Sequence, residues 1–313
     1  MFLIFLSNIV NYFLLNNILF VNYNQENHDS NCKVIEYMIK LFSNLKIRTS
    51  LDNLILNYQS FNVVKEVYMR NIKMLIEYDG SKYKGWQKLT SDDLTIQGKL
   101  ENVLSIMAEE EISVIGCGRT DAGVHALNYT ANFHTNSNLS TEKMSEYLYK
   151  YLPEDIQVKS VKDCSERFHA RYNALSKTYL YRINNNDKRN IFSRKYEYNI
   201  VEVLDINKML DASKFLIGTH DFQSFTTLKS KKKSTVKTIY SINIIKNDNI
   251  VEIEVKGNSF LWNMVRIICG TLIEVGKGNL KPTDMEKILN QLKRQDAGPN
   301  APAHALFLKE VEY

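Results

Sequence analysis

The chain has 313 residues, with 40 Lys and Arg against 35 Asp and Glu, a formal charge of +5, 44% apolar and 24% charged residues. That is the composition of a folded globular protein long enough for two domains, and it excludes bulk disorder, a collagen-like repeat and a polytopic membrane protein. The four cysteines, Cys32, Cys117, Cys164 and Cys269, form no C-x-x-C pair, so a disulfide scaffold and a zinc ribbon are excluded and a reducing, cytoplasmic setting is expected.

Residues 1–68 stand apart. They contain no Gly, Pro or Ala, and their five basic residues (Lys33, Lys40, Lys46, Arg48, Lys65) cancel five acidic ones (Glu26, Asp29, Glu36, Asp52, Glu66), so the whole positive charge belongs to 69–313. A folded segment of that length without a turn-forming Gly or Pro is unusual. The expectation is that the native protein starts at Met69 and that 1–68 is a misassigned start. The competing reading is a membrane anchor over the uncharged residues 1–21. Against it, Ser7, Asn8, Asn11, Asn16 and Asn17 interrupt that stretch, and it lacks the positive flank and cleavage site of a signal peptide.

From Met69 the elements follow in order. Lys73–Tyr78 is a predicted strand ended by Asp79-Gly80. Thr95 caps a helix over Ile96–Met107, whose Ile96, Leu100, Val103, Leu104 and Met107 share one face. Ser113–Gly118 and Tyr129–His134 are strands around a glycine-containing loop. A helix opens at Ser140-Thr141-Glu142 and runs through Tyr151 to the stop at Pro153, and Ile156–Val161 is a strand. This order, β-α-β-β-α-β, is that of the split βαβ, ferredoxin-like unit. A second half has similar elements: a strand at Thr178–Ile183, a helix at Asp205–Leu216 closed by Gly218, and a hairpin of Val236–Ile245 with Ile250–Lys256. An apolar, buried helix at Leu261–Val275, an amphipathic helix at Thr283–Lys293 and a last strand at Ala305–Val311 complete it. The expected fold is α+β, two ferredoxin-like halves (69–170 and 171–313) forming a mixed sheet with helices on one side and a basic cleft between them.

The stretch that carries chemistry is Gly116-Cys117-Gly118-Arg119-Thr120-Asp121-Ala122-Gly123-Val124-His125. A Rossmann G-x-G-x-x-G fails, because Asp121 stands where the third glycine belongs. A P-loop is met at Gly118 and Gly123, but Val124-His125 replaces the Lys and hydroxyl that hold the outer phosphates. What remains is a carboxylate in a glycine loop between strands. An Asp in such a loop is usually a turn former, and an adjacent Arg is usually a solvated ion pair. The grouping of Arg119, Asp121 and His125 argues for more: an Asp that acts as nucleophile or base, aimed by an arginine.

Gly118-Arg119-Thr120-Asp121-Ala122-Gly123-Val124-His125 resembles the signature loop of the tRNA pseudouridine synthase A family. Further matches fall in the same order: Tyr78-Asp79-Gly80-Ser81-Lys82-Tyr83-Lys84-Gly85-Trp86-Gln87, Phe168-His169-Ala170-Arg171, Lys177-Thr178-Tyr179-Leu180-Tyr181, His220-Asp221-Phe222, Ser224-Phe225, Asn263-Met264-Val265-Arg266 and Ala301-Pro302-Ala303. The resemblance covers about Lys73 to Tyr313 and leaves 1–68 without a counterpart. It implies isomerisation of uridine to pseudouridine at positions 38, 39 and 40 in the anticodon arm of tRNA, with no cofactor and no metal. By the same resemblance Asp121 is the essential carboxylate, Arg119 and Arg266 lie near it, and Tyr179 packs against the flipped base. An Asp121–Arg266 ion pair would satisfy a charge in the otherwise apolar Phe260–Gly270. Lys231, Lys232 and Lys233 stand in a loop expected to touch tRNA phosphates, though that loop lacks the cysteine often found there. A homodimer spanned by tRNA is implied as well. The rival function is a catalytically silent tRNA-binding module. The intact Arg119-Thr120-Asp121 and Tyr179 argue against it, since such a module needs no carboxylate facing an anionic ligand.

Overall fold

The alternating apolar residues that follow Met69 do form a strand, paired on both sides within the sheet. In the computed structural model, which describes residues 69–90, 94–228 and 234–313, β1 (Arg70–Tyr78) buries Ile72, Met74, Ile76 and Tyr78. Residues 1–68, with the expected start and the anchor reading, and Lys231, Lys232 and Lys233 lie outside the described residues. Thr95 caps α1 (Ile96–Ala108) by accepting from the Gly98 amide, and Ile96, Leu100 and Leu104 turn inward from it. After β2 (Val114–Gly116) comes β3 (His125–Thr135), which starts earlier than the local pattern predicts. Its first residues are held by a partner remote in sequence: His125 and Ala126 pair in parallel with Phe307 and Leu308. Ser140 caps α2 (Thr141–Tyr151), which is followed by β4 (Ile156–Cys164).

The second set of elements comprises β5 (Ser176–Asn185), β6 (Tyr198–Ile200), α3 (Ile206–Lys214), β7 (Gly218–Asp221), β8 (Val236–Asn247), β9 (Ile250–Gly257), α4 (Met264–Gly276), α5 (Asp284–Gln291) and β10 (Leu306–Glu312). Strands β6 and β7 were not expected. They have three and four residues, too few for a period to show in the sequence. Helix α4 begins at Met264 rather than Leu261, because Asn263 takes a left-handed conformation with φ of 60° that no helix can include.

All ten described strands belong to one mixed sheet in the order β4-β1-β3-β10-β5-β9-β8-β7, with β2 added on β3 and β6 on β5. The last strand in sequence therefore lies between β3 and β5, parallel to the first and antiparallel to the second. Two apolar cores flank this seam. One gathers Ile72, Met74, Leu104, Phe133 and Met144, the other Ile183, Phe222, Val255, Ile268 and Met285. Tyr179 on β5 packs against both. Residues 69–313 together form one compact unit. Among the described residues, no helix is long and apolar enough to cross a membrane.

Candidate active site

The loop between β2 and β3 is fixed by groups buried beneath it. The Tyr129 hydroxyl donates to the Gly118 carbonyl and accepts from the Gly118 amide at 3.4 Å. The Tyr78 hydroxyl shares a hydrogen bond of 2.8 Å with Thr120 Oγ1. Burial pushes both phenols well above the usual tyrosine range, so both are neutral near pH 7. Trp86 stacks on Tyr129 with ring centres 3.9 Å apart, and its amide donates to the Thr120 carbonyl at 3.1 Å. Lys177 reaches across from β5 to donate to the Cys117 carbonyl at 2.6 Å. Burial lowers the Lys177 pKa and pushes the Cys117 thiol up to about 11. Gly85 closes the support from the other side: its φ is +100°, and a Cβ there would come within 2.6 Å of the Thr120 carbonyl oxygen.

Asp121 projects from this frame, its side chain 28% exposed and so open to a ligand. Trp262 Nε1 donates to Oδ1 at 3.0 Å, and the Arg266 guanidinium faces Oδ2 at 3.5 Å. Each carboxylate oxygen thus meets a donor from the turn into α4 or its first helical turns and keeps lone pairs for a substrate. Arg266 is itself oriented: Nε donates to the Ala301 carbonyl at 2.7 Å and Nη1 to Asn263 Oδ1 at 3.1 Å. The left-handed Asn263 makes this possible, and its side-chain amide is tied to Thr227 Oγ1 at 2.8 Å. Backbone strain at a non-glycine residue persists where surrounding bonds over-determine it.

The expected Asp121–Arg266 pair is present. Arg119 lies differently. Its side chain is exposed, donates from Nε to Gln87 Oε1 at 3.0 Å and, among the described residues, makes no ion pair with Asp121. Tyr179 is half-buried, with Phe260 edge-on at 5.2 Å, and burial, with a smaller contribution from the Cys117 and Asp121 charges, raises its hydroxyl above the ordinary range. Sequence reasoning gave no role to Trp262, Lys177, Tyr78 or Tyr129. The signal available for Trp262 was its place one residue before Asn263-Met264-Val265-Arg266. Tyr78 opens the matched stretch Tyr78–Gln87, but nothing local marks Tyr129, since a buried hydroxyl aimed at a distant loop looks like any strand tyrosine. Among the described residues no cluster of three or more His, Cys, Asp or Glu is arranged to hold a metal ion.

The chain is similar to proteins of one named family. A sequence model described as tRNA pseudouridine synthase matches residues 74–173 and 212–313. The protein named tRNA pseudouridine synthase A 1 of Clostridium tetani is 62% identical over 245 residues, covering 78% of this chain and 100% of that protein. Over the same length, tRNA pseudouridine synthase A 2 of Bacillus cereus is 48% identical, with 78% and 100% covered. A second Clostridium tetani protein, tRNA pseudouridine synthase A 2, is 48% identical with 78% and 99% covered. With a family model that matches residues 74–173 and 212–313 and relatives up to 62% identical over their whole length, the chain belongs to the tRNA pseudouridine synthase family.

Proposed function

We propose that Asp121 is the nucleophile by which this tRNA pseudouridine synthase isomerises uridine at positions 38, 39 and 40 of the anticodon arm. In the reaction the ribose–N1 bond breaks, the uracil turns and a ribose–C5 bond forms; C5 gives up a proton, N1 gains one, and nothing is oxidised. The observation that carries the reading is the partly exposed Asp121 carboxylate, held between the Trp262 indole and the Arg266 guanidinium. Arg266 balances the carboxylate charge and fixes its direction. Tyr179 offers a ring to the uracil once it has left its stack, and Arg119 supplies a cation to the tRNA backbone from the same loop. Lys231, Lys232 and Lys233 add phosphate contacts from a basic cleft between two ferredoxin-like halves, 69–170 and 171–313, with helices on one side of the sheet. The enzyme works as a cytoplasmic homodimer.

Asp121→Asn tests the assignment. The change preserves size and removes the charge and the nucleophile. Product from a tRNA with uridine at position 39 should fall below detection, a loss beyond the ~10²–10⁴-fold of losing a general acid or base alone. Binding should be kept or improved, because a negative charge near phosphates is gone. Substantial turnover would reduce Asp121 to a turn residue, and wild type that binds without forming product would favour the silent binding module. Neutralising Lys231, Lys232 and Lys233 together should flatten the dependence of log affinity on log salt; an unchanged slope removes that loop from the interface.

A further inference from the structure

Beside the Asp121 loop, on its Gly118–Arg119 side, lies a second opening of about 200 Å³, lined by Gln87, Arg119, His169, Arg171 and Tyr172 among others. It is too small for a whole drug-sized ligand and fits a compact anionic group. Its wall is a short turn that is unusually well held for a surface segment. Asn71 donates to the Phe168 carbonyl at 2.8 Å, Asn132 accepts from the Ala170 amide at 2.9 Å, and the Tyr313 hydroxyl donates to the Ala170 carbonyl at 2.7 Å. Asn173 accepts from the His169 amide at 2.7 Å. His169 Nδ1 in turn accepts from the Arg171 and Tyr172 amides at 3.1 and 3.2 Å, which leaves the ring proton on Nε2 as a donor. What this turn presents is exposed: Arg171, and Tyr172 at 78% of its full surface, one face on the His169 ring at 4.2 Å and the other open. Arg119, fixed through Nε to Gln87, keeps its two terminal nitrogens for the opening.

We propose that this is a subsite for the nucleotide next to the target uridine, with its phosphate between Arg119 and Arg171, the His169 Nε2–H in reach, and its base stacked on the open face of Tyr172. The proposal rests on the assignment of Asp121 as the reacting centre. Gly118, which lines the opening, is three residues from Asp121, a span of at most about 10 Å, the reach of a neighbouring nucleotide. A uridine leaves its stack by rotation about its own backbone, and a grip on the adjoining phosphate and base gives that rotation a fixed pivot. Cations and a ring face are the pairing that single-stranded RNA requires.

The test uses the full chain and a tRNA substrate in binding titrations and steady-state kinetics. Tyr172→Ala should weaken binding and raise KM roughly 5- to 100-fold, the range of a lost base–aromatic stack, with the loss falling on KM rather than kcat. Tyr172→Phe should restore affinity, because stacking uses the ring and not the hydroxyl. Arg171→Gln should reduce the slope of log affinity against log salt by about 0.7–0.9, one phosphate contact. Wild-type affinity in Tyr172→Ala, failure of Tyr172→Phe to restore it, or an unchanged slope in Arg171→Gln would each overturn the subsite. Those results are independent of product formation by Asp121→Asn, so failure of the subsite and failure of the Asp121 assignment are told apart.

Discussion

Two donors meet the Asp121 carboxylate, and their surroundings rank them. Trp262 is 59% exposed, so its bond to Oδ1 competes with water and contributes little net. Arg266 is largely buried and anchored at Ala301 and Asn263, so its position is fixed before any ligand arrives. Arg266→Lys keeps the charge but loses the fork that spans these three partners. It is expected to lower kcat roughly 10- to 100-fold, the effect of about 1.5–3 kcal/mol for hydrogen bonds involving a charged group. Trp262→Phe should cost less than about tenfold, as loss of an exposed neutral donor does. Single-turnover rates of the two variants check the order; a Trp262→Phe enzyme as impaired as Arg266→Lys would make the indole the group that aims the carboxylate.

At the scale of an element, the start of β3 is held by His125, whose neutral form burial favours although Asp79 Oδ1 lies 3.1 Å from Nδ1. His125 Nδ1 accepts from the Gly80 amide at 3.0 Å, and Nε2 donates to the His304 and Lys195 carbonyls at 3.0 and 3.2 Å. Burial lowers its pKa below the ordinary 6.5, against the opposing pull of Asp79. Between its folded and unfolded values the unfolded chain binds more protons at this position, so the contribution to stability is present above about pH 6.5 and is lost as pH falls through the window beneath it. Asp79, whose own pKa is lowered by its bonds to Ser81 and Tyr196 although burial acts the other way, loses its contribution only below the ordinary carboxylate value of 3.8. Denaturant midpoints at pH 7.5 and 5.5 should therefore fall with pH in the wild type. His125→Asn should be less stable throughout but show a flatter dependence between those two values; an equal slope in both proteins would assign the effect to another group.

Across the whole molecule, β10 explains why two cores behave as one body. It pairs with β3 through His125 and Ala126 and with β5 from Ser176 to Tyr181, so neither core is complete without the C-terminal strand. A chain of residues 69–313 should therefore fold and form product within about twofold of the full chain, and unfold in one transition. The two tryptophans report on different halves: Trp86 is buried in the core of β1 and β3, and Trp262 stands beside Asp121. Coincident fluorescence and circular dichroism curves are expected. Separate transitions would make the halves independent units, and loss of product would make residues 1–68 part of the working enzyme.

What the sequence determined by itself is local or carried by type and order. The cap at Thr95, the opening at Ser140-Thr141-Glu142 and the start at Asp205 placed three helices to within a residue of their beginnings, because a helix start is set by the residues on either side of it. The ordered motifs around Asp121 were enough to indicate the family, and the ion pair with Arg266 followed from a charge that needed a partner in an apolar run. Tertiary structure decided the rest. The seat of β10 between β3 and β5 depends on pairing between strands far apart in the chain, and β6 and β7 are too short to carry a period. The direction of Arg119 toward Gln87, the indole at Asp121, and the phenols of Tyr78 and Tyr129 under the loop are matters of where distant side chains converge. No spacing along the chain encodes that convergence, because it exists only after the sheet has closed around β10.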